Sequence, residues 1–160
     1  MTTDLVRLAH EVATRAHAGQ VDKVGRPYIE HPTAVAERLT TDDEQAVGFL
    51  HDVVEDIDID ITLAELRAMA FTVDQVLAVD AVMKRRGEML EQSIARIVAD
   101  PSGIALRVKR ADVSHNGDPA RLAMIADEDT RARLQQKYER TAALLGTTLA
   151  DVLDEFGVRR

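Results

Sequence analysis

The chain contains no cysteine and no tryptophan, and only 3% of its residues are aromatic. Without cysteine there are no disulfides, thiolate zinc sites or cysteine nucleophiles, which accords with a reducing cytoplasm. So few aromatic rings leave no stacking platform for single-stranded nucleic acid. Charge argues the same way. Twenty-eight acidic residues against 20 basic ones give a net charge of -8, which disfavours sequence-independent binding to a phosphate backbone. No apolar run approaches the ~20 residues that span a bilayer. The opening Met1-Thr2-Thr3-Asp4 lacks the basic region and apolar core of an export signal. The expectation is a cytoplasmic protein with no nucleic-acid and no membrane partner. If its ligand is an anion, a metal ion or a local group of Lys and Arg must offset the overall repulsion.

What the chain does have is helical patterning almost throughout. Its 160 residues are 46% hydrophobic and 30% charged, which suits one domain over 1–160 with a substantial core. Leu5, Leu8, Val12 and Ala16 keep helix spacing behind Thr3. Gly19 to His31 forms a polar loop, and Pro32 in the first turn of the next helix sets His31 at its entrance. Thr41 with Glu44, Thr62 with Glu65, and Thr72 with Gln75 match helix-capping boxes. Lys84-Arg85-Arg86-Gly87 reads as a helix stop. Further helices are expected over 88–99, 104–115 and 127–145, with a last one capped by Thr148. No strand alternation, repeat or interdomain linker is evident. The fold class is all-α, with about eight to ten helices.

The stretch Gly48 to Asp56 is the densest in chemistry. It sets His51, Asp52, Glu55 and Asp56 beside Phe49, Leu50, Val53 and Val54. On a helix the four polar residues fall within an arc of roughly 140°, one face for ligands and one for the core. Considered alone, this is equally an amphipathic helix with a solvated acidic face. His31 at a helix entrance and Asp112 on a later helix supply further metal-type ligands. Two imidazoles and two carboxylates suit a divalent ion such as Mn²⁺, Fe²⁺, Mg²⁺ or Zn²⁺. An octahedral ion would keep two positions for water and substrate.

Three segments carry a family resemblance. His17 to Pro32 (HAGQVDKVGRPYIEHP), Leu50 to Asp56 (LHDVVED) and Val108 to Asn116 (VKRADVSHN) resemble, in order and separation, the motifs of the RelA/SpoT-type alarmone hydrolases of the HD-domain superfamily. The resemblance runs over about residues 5–145. It implies an HD-domain helical bundle, a small stand-alone alarmone hydrolase that removes the 3′-diphosphate of (p)ppGpp to give GDP or GTP and pyrophosphate. It implies His31, His51, Asp52 and Asp112 as metal ligands, with Mn²⁺ the usual ion. Glu55 and Asp56 match the acid pair that positions and deprotonates the attacking water. Lys23 matches a lysine that contacts the nucleotide substrate, and Asn116 a residue near the ribose. Arg26 and Lys109 are further candidates for the substrate's phosphates, as are Lys84, Arg85, Arg86, Arg110 and Arg121. His17 and Tyr28 also match and are expected to be structural. His10 and His115 carry no assigned role.

Two departures bear on the base. Asp22 stands where the family has the arginine that helps hold guanine, and Val113-Ser114 replaces an Arg-Leu pair in the third motif. They leave open the same chemistry on an adenine alarmone, a nucleoside monophosphate or NADPH. A non-catalytic nucleotide sensor on the same fold is the reading from another class. Oligomeric state is not legible in the sequence.

Overall fold

In the computed structural model, which describes residues 3–54 and 61–160, the chain folds into helices and short loops. Ten helices are present among the described residues: α1 (Asp4–Ala16), α2 (Glu30–Glu37), α3 (Asp42–Leu50), α4 (Leu63–Ala68), α5 (Val73–Val82), α6 (Leu90–Val98), α7 (Ile104–Asn116), α8 (Pro119–Ala123), α9 (Glu128–Leu144) and α10 (Leu149–Glu155). No strand occurs among the described residues; Val21 and Pro27 make a single antiparallel bridge that pinches the loop before α2. Among these residues no helix is long and apolar enough to cross a membrane.

Local chemistry sets most helix starts. The hydroxyls of Thr41, Thr62 and Thr72 accept from the backbone N–H three residues on, while Glu44, Glu65 and Gln75 reach back to the cap. Gln75 does more. Its side chain is buried and donates to Asp43 at 2.8 Å, tying the start of α5 to the start of α3.

The core gathers on two helices. α3 packs against α1, α2, α5 and α7, and α7 also meets α2, α5, α6, α8, α9 and α10. Val47, Leu50, Val53, Leu66, Phe71, Val79, Ile97 and Val108 are fully buried among them. Gly48 permits one close approach among these. A Cβ there would lie 3.0 Å from the Cα of Ala36 and 3.0 Å from Leu39 Cδ1. The absent side chain lets α2 lie directly on α3.

Two expectations shift. His51 and Asp52 are not mid-helix: α3 ends at Leu50, and His51 to Val54 form a turn closed by Val53 N–H to Leu50 C=O at 3.0 Å. A three-residue hydrogen bond of this kind tightens the last turn of a helix. The helical arc drawn for His51 to Asp56 therefore does not describe His51 and Asp52, and Glu55 and Asp56 lie outside the described residues. The basic run Lys84 to Arg86 follows α5 instead of ending it, because Met83 turns to extended backbone. Pro32 does lie in the first turn of α2, in its third position after Glu30 and His31, with His31 at the helix entrance as expected.

Candidate metal centre and nucleotide cleft

The α2–α3–α7 packing brings the expected ligands to one point. His31 lies in the first turn of α2, His51 and Asp52 follow α3, and Asp112 is on α7. His31 Nε2 is 3.2 Å from Asp112 Oδ1 and 3.7 Å from Asp52 Oδ2. His51 Nε2 is 3.2 Å from Asp52 Oδ2 and 3.8 Å from Asp112 Oδ1. The ligand atoms of His31, His51 and Asp52 lie within 4.8 Å of one another. An ion with bonds of about 2.1 Å requires neighbouring donors about 3.0 Å apart and opposed donors about 4.2 Å apart. The four imidazole–carboxylate distances fall in that interval.

The donor chemistry agrees. His51 Nδ1 meets the Gly48 carbonyl at 2.7 Å. A carbonyl only accepts, so Nδ1 carries a proton, and in the neutral ring Nε2 keeps its lone pair. That Nε2 is buried and has no hydrogen-bond partner among the described residues, its 3.2 Å approach to Asp52 lacking hydrogen-bond geometry. A buried imidazole nitrogen without a partner, facing two carboxylates, is a metal-ligand arrangement.

Both carboxylates are held. Tyr28 donates its hydroxyl to Asp52 Oδ2 at 2.5 Å. Asn116 donates to Asp112 Oδ1 at 2.7 Å, and Lys109 to Asp112 Oδ2 at 2.8 Å. Electrostatics follow from this crowding when the protein is metal-free. Burial opposes charging His51, but the carboxylates of Asp52 and then Asp112 outweigh it and push its pKa up to about 9. Burial also opposes charge on Asp52, yet His51 and then His31 hold it below the usual carboxylate range. Asp112 is lowered against the same burial penalty, chiefly by Lys109 and the two imidazoles.

Above this floor opens a cleft of about 540 Å³, a size that admits a nucleotide. Lys23, Lys84, Arg85, Lys109, Arg121 and Lys137 line it. They come from the first loop, the α5–α6 connection, α7, α8 and α9. Burial lowers the pKa of Lys137, and the like charges of Lys84, Lys109 and Lys23 lower it further. In a chain of net charge -8, this is the local cation cluster that an anionic ligand requires.

Of the candidates named from sequence, Lys23, Lys84, Arg85, Lys109, Asn116 and Arg121 line the cleft, whereas Arg110 pairs with Glu155. Lys109 and Asn116 also bond Asp112 directly. Arg26 does not reach the cleft: it pairs with Glu30 one turn on, at 2.7 Å on the surface. His17 is buried against Tyr28, ring centroids 4.7 Å apart, and bonds Gln20. Sequence reasoning passed over the tyrosine's bond to Asp52, and over Lys137, which sits in a polar helix with no local signal. It also passed over His115, whose Nδ1 is 2.7 Å from His31 Nδ1. Asp22 spends Oδ1 on the backbone N–H groups of Val24 and Arg26, at 2.9 and 3.0 Å, and its Oδ2 faces Arg121 at 3.4 Å. Ser114 is buried and donates to the Ala111 carbonyl within α7.

No family model matches the chain. Individual relatives do. A GTP pyrophosphokinase of Streptomyces coelicolor is 32% identical over 140 residues, covering 80% of this chain and 16% of that protein. The bifunctional (p)ppGpp synthase/hydrolase SpoT of Escherichia coli is 33% identical over 123 residues, covering 69% of this chain and 17% of SpoT. The chain thus spans less than a fifth of the length of these relatives. Among solved structures, a metazoan ortholog of SpoT, described as hydrolysing ppGpp, superposes with a TM-score of 0.76 at 20% identity, covering 98% of this chain and 95% of that one. That likeness establishes the all-helical fold. Taken with the sequence relatives and the three motifs, it shows that the chain belongs to the RelA/SpoT-type family of HD-domain proteins.

Proposed function

We propose that the chain is a metal-dependent nucleotide phosphohydrolase that removes the 3′-diphosphate of (p)ppGpp-type alarmones, releasing GDP or GTP and pyrophosphate. The observation that carries this reading is the meeting of His31, His51, Asp52 and Asp112 on the floor of a cation-lined cleft. The names of the relatives support it: one is a (p)ppGpp synthase/hydrolase and another a ppGpp hydrolase.

His31, His51, Asp52 and Asp112 would hold the ion, and we take Mn²⁺ as the ion from the family resemblance. When bound, a divalent ion polarises phosphoryl oxygens and lowers the pKa of water. The protein's own groups do the rest. Tyr28, Asn116 and Lys109 keep the two carboxylates aimed. Lys23, Lys84 and Lys137 receive phosphate charge at the cleft mouth. Glu55 and Asp56, three and four residues beyond Asp52 in sequence, are proposed to take the proton of the attacking water. Water attacks the phosphorus next to the ribose, the bond from that phosphorus to the 3′ oxygen breaks, and the 3′ oxygen leaves with a proton.

Asp22 favours a second reading, the same chemistry on a nucleotide with another base. With Oδ1 spent on its own loop and Oδ2 facing Arg121, it offers no guanidinium to stack on guanine. A substrate panel with Mn²⁺ separates the two. The alarmone reading expects pyrophosphate from guanosine tetraphosphate, abolished in Glu55→Gln and in Asp56→Asn. Pyrophosphate from an adenine alarmone but not from guanosine tetraphosphate, or orthophosphate alone from a nucleoside monophosphate or NADPH, would overturn the guanine alarmone in favour of the second reading.

A further inference from the structure

Arg96 of α6 reaches across to both ends of the α5–α6 connection. Its Nε donates to the Ala81 carbonyl at 3.1 Å, and Nη2 donates to the Met83 carbonyl at 2.8 Å. Nη2 also donates to Glu88 Oε2 at 3.0 Å, while Nη1 bonds Glu88 Oε1. Four of the five guanidinium N–H groups are thereby spent on three residues. The two carbonyls belong to the C-terminal end of α5, where helix carbonyls lack intrahelical partners. The Arg96 and Glu88 side chains are only 19% and 12% exposed, so the pair escapes most of the solvent that weakens surface ion pairs.

Between these fixed ends lie Lys84, Arg85, Arg86 and Gly87. Gly87 has φ +75°, which favours glycine, and the Glu88 N–H donates to the Arg85 carbonyl at 3.1 Å. The Glu88 carboxylate in turn accepts from the Arg85 N–H at 3.3 Å. Lys84, Arg85 and Glu88 all line the cleft. The charge of Lys84 reaches both Lys23 and Lys137, whose pKa values burial lowers first and like charges lower further. Three ammonium groups from three separate elements converge, and an anion among them relieves their repulsion. Glu88, a carboxylate on the same wall, opposes that anion unless its charge is matched.

We infer that Arg96 is a positioning residue for the phosphate side of the cleft: it braces the α5–α6 connection so that Lys84 stays near Lys23 and Lys137, and it neutralises Glu88 where the anion binds. The inference rests on the proposed function, in which these lysines receive phosphate. Arg96 is not among the residues lining the cleft, so its effect passes through Lys84 and Glu88.

The test uses the full chain and inorganic pyrophosphate as probe, in EDTA so that no metal contributes to binding. Arg96→Met keeps the reach of the side chain and removes its donors. Calorimetric affinity for pyrophosphate should fall roughly tenfold, the worth of one charge-assisted hydrogen bond to phosphate. Hydrogen exchange at the Arg85 and Glu88 amides, both bonded inside the turn, should quicken by about the same factor. Arg96→Lys keeps the charge and loses the fork, so both readouts should lie between wild type and Arg96→Met. Adding Glu88→Gln to Arg96→Met removes the unmatched carboxylate and should recover part of the lost affinity. Arg140→Gln deletes the same charge from an exposed pair with Glu91 and should leave both readouts at wild-type values. With guanosine tetraphosphate and Mn²⁺, Arg96→Met should raise KM about tenfold and leave kcat within about threefold. Melting temperature and helical circular dichroism identify any variant that fails to fold, and Arg96→Lys is the milder substitution if Arg96→Met does not fold. Unchanged pyrophosphate affinity in either folded Arg96 variant would overturn the proposal. So would unchanged exchange of the two amides, an equal loss in Arg140→Gln, a loss confined to kcat, or a wild type that binds no pyrophosphate. A double variant that binds no better than Arg96→Met would overturn the shielding of Glu88. Affinity and amide exchange are read without turnover, so failure to hydrolyse any alarmone would count against the proposed reaction alone.

Discussion

His51 donates from Nδ1 to the carbonyl of Gly48, three residues back, at 2.7 Å. One hydrogen bond satisfies an orphan carbonyl at the end of α3 and aims Nε2 at Asp52 and Asp112. Gly48 meanwhile is the residue whose missing side chain lets α2, and with it His31, approach α3. Helix ending, helix contact and ligand orientation therefore meet in four residues.

Placing a side chain at Gly48 should separate the two imidazoles. A Cβ would meet the backbone of Ala36 at 3.0 Å, and backbone yields less readily than a side-chain end. Gly48→Val is expected to destabilise the fold by roughly 1–3 kcal/mol, the usual cost of overpacking, and to weaken Mn²⁺ binding. Chemical denaturation and metal titration check the two effects separately.

Metal should stabilise the protein. At a free Mn²⁺ concentration 100 times its Kd, binding adds about 2.7 kcal/mol, so the melting temperature should rise with Mn²⁺ and fall back with EDTA. His51→Ala and Asp112→Ala should abolish the rise. An identical rise in either variant would show that the ion binds elsewhere.

The metal-free protein should lose stability as pH rises from neutrality. The folded pKa of His51 is about 9, above the ordinary imidazole value of about 6.5. The folded state therefore holds a proton that the unfolded state has released. The contribution is full below about pH 6.5 and is lost as pH rises through about 9. Melting curves in EDTA should show this decline, and His51→Gln should flatten it. Mn²⁺ must displace the same proton, so its affinity should rise over that interval. Pairs of melting curves with and without the ion would reveal the opposite slopes.

Removing the Tyr28 hydroxyl should loosen Asp52 without emptying the core. Tyr28→Phe deletes the 2.5 Å bond to Asp52 Oδ2 and keeps the ring against His17. A partner of a metal-ligating carboxylate is worth about 10–100-fold in affinity or activity. Calorimetric titration with Mn²⁺ should show a loss at the lower end of that range with little change in melting temperature.

Lys137 should act on substrate and leave the metal alone. It lines the cleft from α9 among like charges. One charge-assisted hydrogen bond to phosphate is worth about 1.5 kcal/mol, or about tenfold. Lys137→Ala is expected to raise KM for guanosine tetraphosphate by about that factor, with Mn²⁺ affinity unchanged. An unaltered KM would remove Lys137 from the phosphate-binding surface.

Much of the fold was legible because its determinants are local. A threonine that accepts from the N–H three residues on, or a glutamate that reaches back to the cap, acts within one turn, and apolar spacing reports which face is buried. The ends were less legible. The helix through His51 seemed to continue because Val53 and Val54 kept the apolar rhythm, whereas the chain closes a three-residue turn at Leu50. Nothing in the spacing distinguishes these, since hydrogen bonds of both kinds bury Val53 equally well.

By itself the sequence determined the all-helical class, the imidazole and carboxylate groups offered by His31, His51, Asp52 and Asp112, and the absence of thiol chemistry. Each is a property of residue identity or of neighbours within a turn. Only the tertiary structure decided that Arg26 stays outside the cleft, that Lys137 enters it, that Asp22 closes its own loop, and that Arg121 meets both Asp22 and His115. Those relations join residues up to 99 positions apart. Their distances follow from how α2, α3, α7, α8 and α9 pack, and helix packing is set by side-chain volume across elements, which no local pattern records.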